Sequence, residues 1–231
     1  MPHVTVTAKD GGSFKAYVAM PARTPAPGLV VIQEIFGVNR VMRDLTDTYA
    51  AAGYVAICPD IFWRIEPGVD ITDQSEAEWQ KAFDLFGKFD VDHGVQDLIA
   101  TLDHVRGMPE CTGKAGSVGY CLGGKLAYLM ATRSTADANV SFYGVGLDEL
   151  IGEAGRIAKP FMAHVAEKDA FVPPAAQAAF VPVLQAHPQS TVHVYAGQDH
   201  AFARVGGKHY DKASADLANR RTAEFLAAGL G

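Results

Sequence analysis

The 231-residue chain is predicted to adopt an α/β fold, with a mostly parallel central sheet and helices on both faces. Short strand-like apolar runs alternate with longer amphipathic stretches almost to the end, the pattern of successive βα units. The run at 29–33 is β-branched and apolar, suited to a central strand buried on both faces. The motif Gly119-Tyr120-Cys121-Leu122-Gly123 lies directly between a strand-like and a helix-like segment, so the chain must turn sharply there.

In chain order, His3–Thr7 and 14–19 alternate around the turn Asp10-Gly11-Gly12 and read as an N-terminal hairpin. After the 29–33 strand, Val41, Leu45, Tyr49 and Ala52 recur at helical spacing. Gly53 ends that helix, and 54–58 forms another buried strand. Residues 61–90 interrupt the rhythm with polar and aromatic residues, among which 76–86 forms a short helix. Val91, Val95, Leu98, Leu102 and Val105 mark a long amphipathic helix. Strands follow at 115–119, 138–142, Phe161–Ala166 and 191–195, with helices at 122–132, 175–186 and 213–228. No repeat, low-complexity tract or linker divides the sequence, so a single domain over 1–231 is expected.

A chain of this length buries roughly 70% of its unfolded surface and needs neither disulfides nor a structural metal to hold a core. The formal charge of −6, with scattered basic residues, argues against a nucleic-acid partner. No stretch approaches the length of a membrane helix, and MPHVTVTAKD lacks the apolar core of a signal peptide. Cys58, Cys111 and Cys121 form no CxxC pair, which fits free thiols in a reducing cytoplasm. The eight histidines show no metal-ligand spacing. No cofactor and no metal is expected, and the chain is read as a monomer acting on a small molecule.

The motif at 119–123 has the shape of a nucleophile elbow with cysteine in the usual place of serine. Such a turn strains residue 121, and glycines at 119 and 123 let strand and helix approach. The thiol would project above the sheet beside a helix N-terminus, where negative charge is favoured. A small buried cysteine in a tight turn would leave the same trace, so the motif alone leaves both readings open. Chain order adds more. An acid and then a histidine should follow the nucleophile. Asp169 follows the strand FMAHVA and His200 follows TVHVY, each beyond a strand's C-terminal end, where function gathers in such sheets. Histidine would take the thiol proton, and the aspartate would orient the ring. Glu167 and Asp199 are rival acids. Asp199 adjoins His200 in sequence, a poor geometry for gripping its neighbour's ring, and Glu167 still lies at the strand end. Asp169 is therefore the expected acid.

The segments QEIFGVN (33–39), GYCLGGK (119–125), FYGVGL (142–147), KDAFVP (168–173) and DHAFAR (199–204) resemble those of the dienelactone hydrolase family. The resemblance extends over essentially the whole chain. It implies an α/β-hydrolase fold, a Cys121-His200-Asp169 triad, and hydrolysis of a small, anionic lactone or ester. The foremost candidate is 4-carboxymethylenebut-2-en-4-olide, opened to maleylacetate through an acyl-enzyme. It also implies that Glu34 accepts the thiol's hydrogen bond at rest and takes its proton when substrate arrives. A strand-end glutamate turned to water is the alternative for that residue. The amides of Ile35 and Leu122 match the family's oxyanion donors, and Arg204 matches its carboxylate anchor. Where the family carries a second arginine, this sequence has Trp79. Trp79, Phe36, Phe83 and Phe86 are candidate pocket walls, although the aromatics of 76–86 could equally pack their own helix. Within the class, the rival is a broader carboxylesterase or a hydrolase of another lactone. From other classes, a thiol redox sensor or an inactive binding module remains open.

Overall fold

Short apolar runs form the strands and longer amphipathic segments form the helices, as the alternation requires. The computed structural model describes residues 3–231. The chain folds as two compact units, Met1–Gly116 and Ser117–Gly231.

The first unit opens with the expected hairpin. β1 (His3–Thr7) pairs antiparallel with β2 (Ser13–Ala19). Gly11 takes φ +90° in the turn, a conformation that costs a residue with a Cβ more than it costs glycine. β2 pairs antiparallel with β4 (Val55–Pro59), which runs parallel to β3 (Ala26–Ile32). Leu29, Val30, Val31 and Ile32 are fully buried. Complete burial of such a side chain contributes about 1.5–3 kcal/mol, so this strand anchors the unit.

Helix α1 (Arg40–Ala51) starts at Asn39, whose side chain accepts the Met42 N–H. Its buried stripe is Met42, Thr46 and Ala50, one position on from the expected Val41, Leu45 and Tyr49, which are half-buried. Thr46 tolerates burial because its hydroxyl donates to the Met42 carbonyl at 2.7 Å. Helix α2 (Glu76–Lys88) begins with a capping box: the Ser75 hydroxyl accepts the Glu78 N–H and donates to the Glu78 carboxylate. In the excursion before it, Arg64 and the Trp63 indole converge on Asp97 of α3 (Val91–Arg106), which satisfies that buried carboxylate.

β5 (Cys111–Tyr120) begins in the first unit and ends in the second. The second unit continues with α4 (Leu122–Arg133), β6 (Asn139–Phe142), α5 (Leu147–Leu150), a 3₁₀ turn (Ile151–Arg156), β7 (Phe161–Ala166), α6 (Pro174–Ala186), β8 (Ser190–Tyr195) and α7 (Lys212–Leu230). The turn and helix at 147–156 are too short to leave a periodic signal, and the sequence does not announce them. Strands β5, β6, β7 and β8 lie side by side, all parallel. One row crosses them through Tyr120, Phe142, His164 and His193. The parallel pairs outnumber the antiparallel ones of the hairpin edge, so the strand set is mixed and mostly parallel. No helix among the described residues is long and apolar enough to cross a membrane.

Candidate active site

Between the end of β5 at Tyr120 and the start of α4 at Leu122 stands a single residue, Cys121, at φ +56° and ψ −114°. A non-glycine residue there carries about 1–3 kcal/mol of strain. Its backbone is held from both sides: the Cys121 N–H donates to Phe142 O, and the Lys125 N–H donates to Cys121 O, each at 3.1 Å. A Cβ on Gly119 would lie 1.9 Å from Gly123 O, and one on Gly124 would lie 2.6 Å from Phe142 O. Glycine is therefore a steric requirement of this turn. Cys121 is partly exposed and caps the N-terminus of α4, whose first-turn amides lack intrahelical acceptors. Leu122 is the first of these residues and is buried.

Asp169 follows β7 and His200 follows β8, both buried. His200 Nδ1 lies 2.8 Å from Asp169 Oδ2 and 3.0 Å from Oδ1. A carboxylate only accepts, so Nδ1 carries the hydrogen. The Phe171 and Val172 amides also donate to Asp169 Oδ1, at 2.9 and 3.1 Å. Burial would lower the His200 pKa. The negative charge available at Cys121 and the hydrogen bond to Asp169 more than offset this and push it up to about 10. With Nδ1 committed to Asp169, buried Nε2 is the nitrogen left for the thiol. Such a pair can move a proton from sulfur to nitrogen and store it there.

The two rival acids bond elsewhere. Glu167 Oε2 accepts the Gly197 N–H at 2.7 Å, and Asp199 Oδ1 accepts the N–H groups of Ala170 and His200. Two aromatic residues not singled out from the sequence flank the imidazole. Tyr143, at φ +39° and 2% exposed, presents its ring at 5.1 Å and 63°. Phe171, 48% exposed, presents its ring at 4.8 Å and 72°. Both sit inside segments that carry the family resemblance, FYGVGL and KDAFVP, which was their only sequence signal.

Beneath this layer, His164 of β7 is enclosed. Its Nδ1 meets the Tyr195 hydroxyl at 2.8 Å and its Nε2 the Thr222 hydroxyl at 2.9 Å, while Arg221 Nη1 donates to the Tyr195 oxygen at 3.3 Å. The His164 carbonyl accepts the Tyr143 N–H at 2.8 Å. Burial first, then the charges of His193 and Arg221, hold the His164 pKa well below its ordinary value.

Arg204 is half-buried, four residues after His200 and beyond Ala201, which takes φ +62°. Its N–H donates to Ala201 O at 2.9 Å.

In the first unit, Glu34 lies just past β3 and is 4% exposed, so it does not turn to water. Ile35 and Phe36 beside it are buried. Trp79 meets Phe36 edge-on at 5.0 Å, stacks on Phe83 at 5.4 Å, and donates its indole N–H to Asp73 O at 3.0 Å. Three of the four candidate wall residues thus form one cluster. Phe86, on the same helix, is 37% exposed.

An elbow at the end of a parallel strand, with acid and histidine following later strands, defines an α/β-hydrolase fold, and solved structures agree. A Klebsiella pneumoniae structure superposes with a TM-score of 0.84 at 25% identity, covering 98% of this chain and 97% of its own. The metagenomic dienelactone hydrolase-like promiscuous phosphotriesterase P91 superposes at 0.81 and 22% identity, covering 100% and 99%. The family model for the dienelactone hydrolase family matches residues 14–230, and the chain belongs to that family. It is 52% identical over 240 residues to an Azospirillum brasilense relative, with both chains covered in full. It is 39% identical over 224 residues to the carboxymethylenebutenolidase of Pseudomonas putida, covering 97% of this chain and 95% of that one.

Proposed function

We propose that this chain is a carboxymethylenebutenolidase working through Cys121, opening 4-carboxymethylenebut-2-en-4-olide to maleylacetate. The observation that carries the reading is the buried His200–Asp169 bond beside a cysteine on a strained elbow. The 39% identity to the Pseudomonas putida carboxymethylenebutenolidase supports the substrate. A family match over residues 14–230 supports one catalytic domain.

In this mechanism the Cys121 sulfur attacks the lactone carbonyl, and the ring C–O bond breaks as the tetrahedral alkoxide collapses. The leaving oxygen takes up the proton that the thiol gave away, and the acyl group stays on sulfur as a thioester. His200 then draws a proton from water, whose oxygen attacks the thioester and releases the acid and the thiol. Leu122 and Ile35 amides are assigned to the developing alkoxide, where each donor is worth roughly 3 kcal/mol of barrier. Glu34 is assigned to receive the thiol proton when substrate binds, and Arg204 to anchor the substrate carboxylate. For Glu34, Ile35 and Arg204 the support is the family resemblance, joined for Glu34 by its burial at a strand end.

A broader esterase is the second reading. Trp79, packed with Phe36 and Phe83, supplies an apolar surface where the resemblance leads one to look for an arginine. Turnover of the dienelactone beside neutral esters of equal size, for the wild type and C121A, tests both. Preference for the dienelactone, lost in C121A, supports the first reading. Equal turnover of neutral esters supports the second, and activity in C121A removes the cysteine mechanism.

A further inference from the structure

The proposed acid and base stand on separate loops, one after β7 and one after β8, and their 2.8 Å bond requires those loops to keep a fixed spacing. One atom touches the main chain beside both. Asp199 Oδ1 accepts the Ala170 N–H at 3.0 Å and the His200 N–H at 2.7 Å. We propose that Asp199 is a positioning residue for the Asp169–His200 pair, an inference that rests on reading those two residues as the catalytic acid and base.

The Ala170 amide belongs to the peptide that leaves Asp169, and the His200 amide to the peptide that enters the histidine. A single carboxylate oxygen, with two lone-pair directions, therefore fixes the peptide planes on which both side chains hang. Charge-assisted bonds of this kind are roughly twice as strong as neutral ones. Both amides lower the Asp199 pKa against the opposing effect of burial, so the acceptor is fully ionised at neutral pH.

Other ties join the same loops farther from the pair. The Lys168 N–H donates to Gln198 O at 2.7 Å, and the Glu167 N–H to Tyr195 O at 3.1 Å. These keep the loops together, while Asp199 sets the orientation at the reacting side chains. The next residue, Ala201, is left-handed at φ +62°, so His200 sits between a pinned amide and a strained link. Releasing the pin lets the strain relax by moving the imidazole. The second carboxylate oxygen faces His209 Nδ1 at 3.6 Å, an exposed contact that serves as a control.

Misplacing a catalytic group by about 1 Å lowers turnover by up to roughly 100-fold. In the full chain, Asp199→Ala should reduce kcat by roughly 10- to 100-fold while KM changes less than about threefold. Asp199→Asn keeps a carbonyl acceptor in place and should restore kcat to within about fivefold of wild type. His209→Ala should leave kcat unchanged. The downfield NMR signal of the His200 Nδ1 proton should broaden or vanish in Asp199→Ala and persist in Asp199→Asn. A role confined to stability would lower Tm and leave both kcat, measured well below Tm, and that signal untouched. If Asp199→Ala does not fold, Asp199→Ser replaces it, since a hydroxyl is too short to reach both amides. Wild-type kcat in the alanine or serine variant overturns the proposal, as does an asparagine variant no better than alanine. Cys121→Ala and Asp169→Asn, assayed alongside, separate the failures: full activity in either overturns the triad reading beneath it.

Discussion

His200 and Asp169 share a hydrogen bond at 2.8 Å, and their side chains keep only 5% and 1% of their surface. Water cannot replace either partner, so the carboxylate alone satisfies the Nδ1–H of the ring. Asp169→Asn would present an amide that can also donate, favouring the wrong imidazole tautomer. Turnover should fall by roughly three to four orders of magnitude with the fold intact, checked by circular dichroism and steady-state kinetics. A drop below about tenfold would remove Asp169 from the mechanism.

The three cysteines should separate by chemistry. Burial, against a weaker opposing effect of the Thr46 hydroxyl, pushes the fully buried Cys58 thiol up to about 12, so it should label only after unfolding. Cys58→Ala and Cys111→Ala should keep near-normal kcat, and Cys121→Ala should abolish acyl-enzyme formation in burst kinetics. If Glu34 keeps the resting thiol protonated, iodoacetamide should alkylate Cys121 slowly at neutral pH. A small carboxylate ligand should speed that reaction. Fast alkylation regardless of ligand would mean a standing thiolate and leave Glu34 without its assigned role.

Charge selectivity should reside in Arg204. A hydrogen bond to a charged group contributes about 1.5–3 kcal/mol, so Arg204→Ala should lower kcat/KM for the anionic lactone roughly 10- to 150-fold. A neutral ester of equal size should be nearly unaffected. Trp79→Arg should raise the preference for the anion, at some expense to the cluster with Phe36 and Phe83. Equal losses on both substrates from Arg204→Ala would dismiss the anchor.

His164 gives a pH dependence of stability with a definite sign. Its folded pKa lies well below the ordinary value, so above about pH 6.5 both folded and unfolded forms are neutral. As pH falls below that, the unfolded chain gains a proton that the folded one refuses, and stability declines by up to about 1.4 kcal/mol per pH unit. His200, raised to about 10, acts in the opposite sense: its stabilisation is complete below about 6.5 and disappears as pH rises through the folded value. That contribution is common to wild type and His164→Asn and cancels in the comparison. Urea unfolding from about pH 7.5 to about pH 5 should show a steeper acid decline for wild type than for His164→Asn. Parallel curves would disprove it.

How legible the molecule was depended on how local each signal is. Strand β7 emerges with its exact bounds, and the elbow emerges with its glycines, because sterics between sequence neighbours dictate both. The buried face of α1 was displaced by one residue, because Thr46 can be buried once its hydroxyl finds a carbonyl, which no hydropathy pattern records. Asp169 could be ranked above Asp199 from adjacency alone. The use to which Asp199 is put could not, since it depends on the amide of Ala170, 29 residues away. Tyr143 and Phe171 were equally hidden, because an aromatic edge against an imidazole has no sequence spacing.

The chain of contacts through His164 has a sense of direction. A guanidinium can only give hydrogens, so Arg221 obliges the Tyr195 oxygen to receive one and to send its own toward His164 Nδ1. The ring must then carry its hydrogen on Nε2 and pass it to Thr222. One arginine near the surface thereby dictates the tautomer of a histidine in the interior, and a neutral residue in its place would leave the whole line free to reverse.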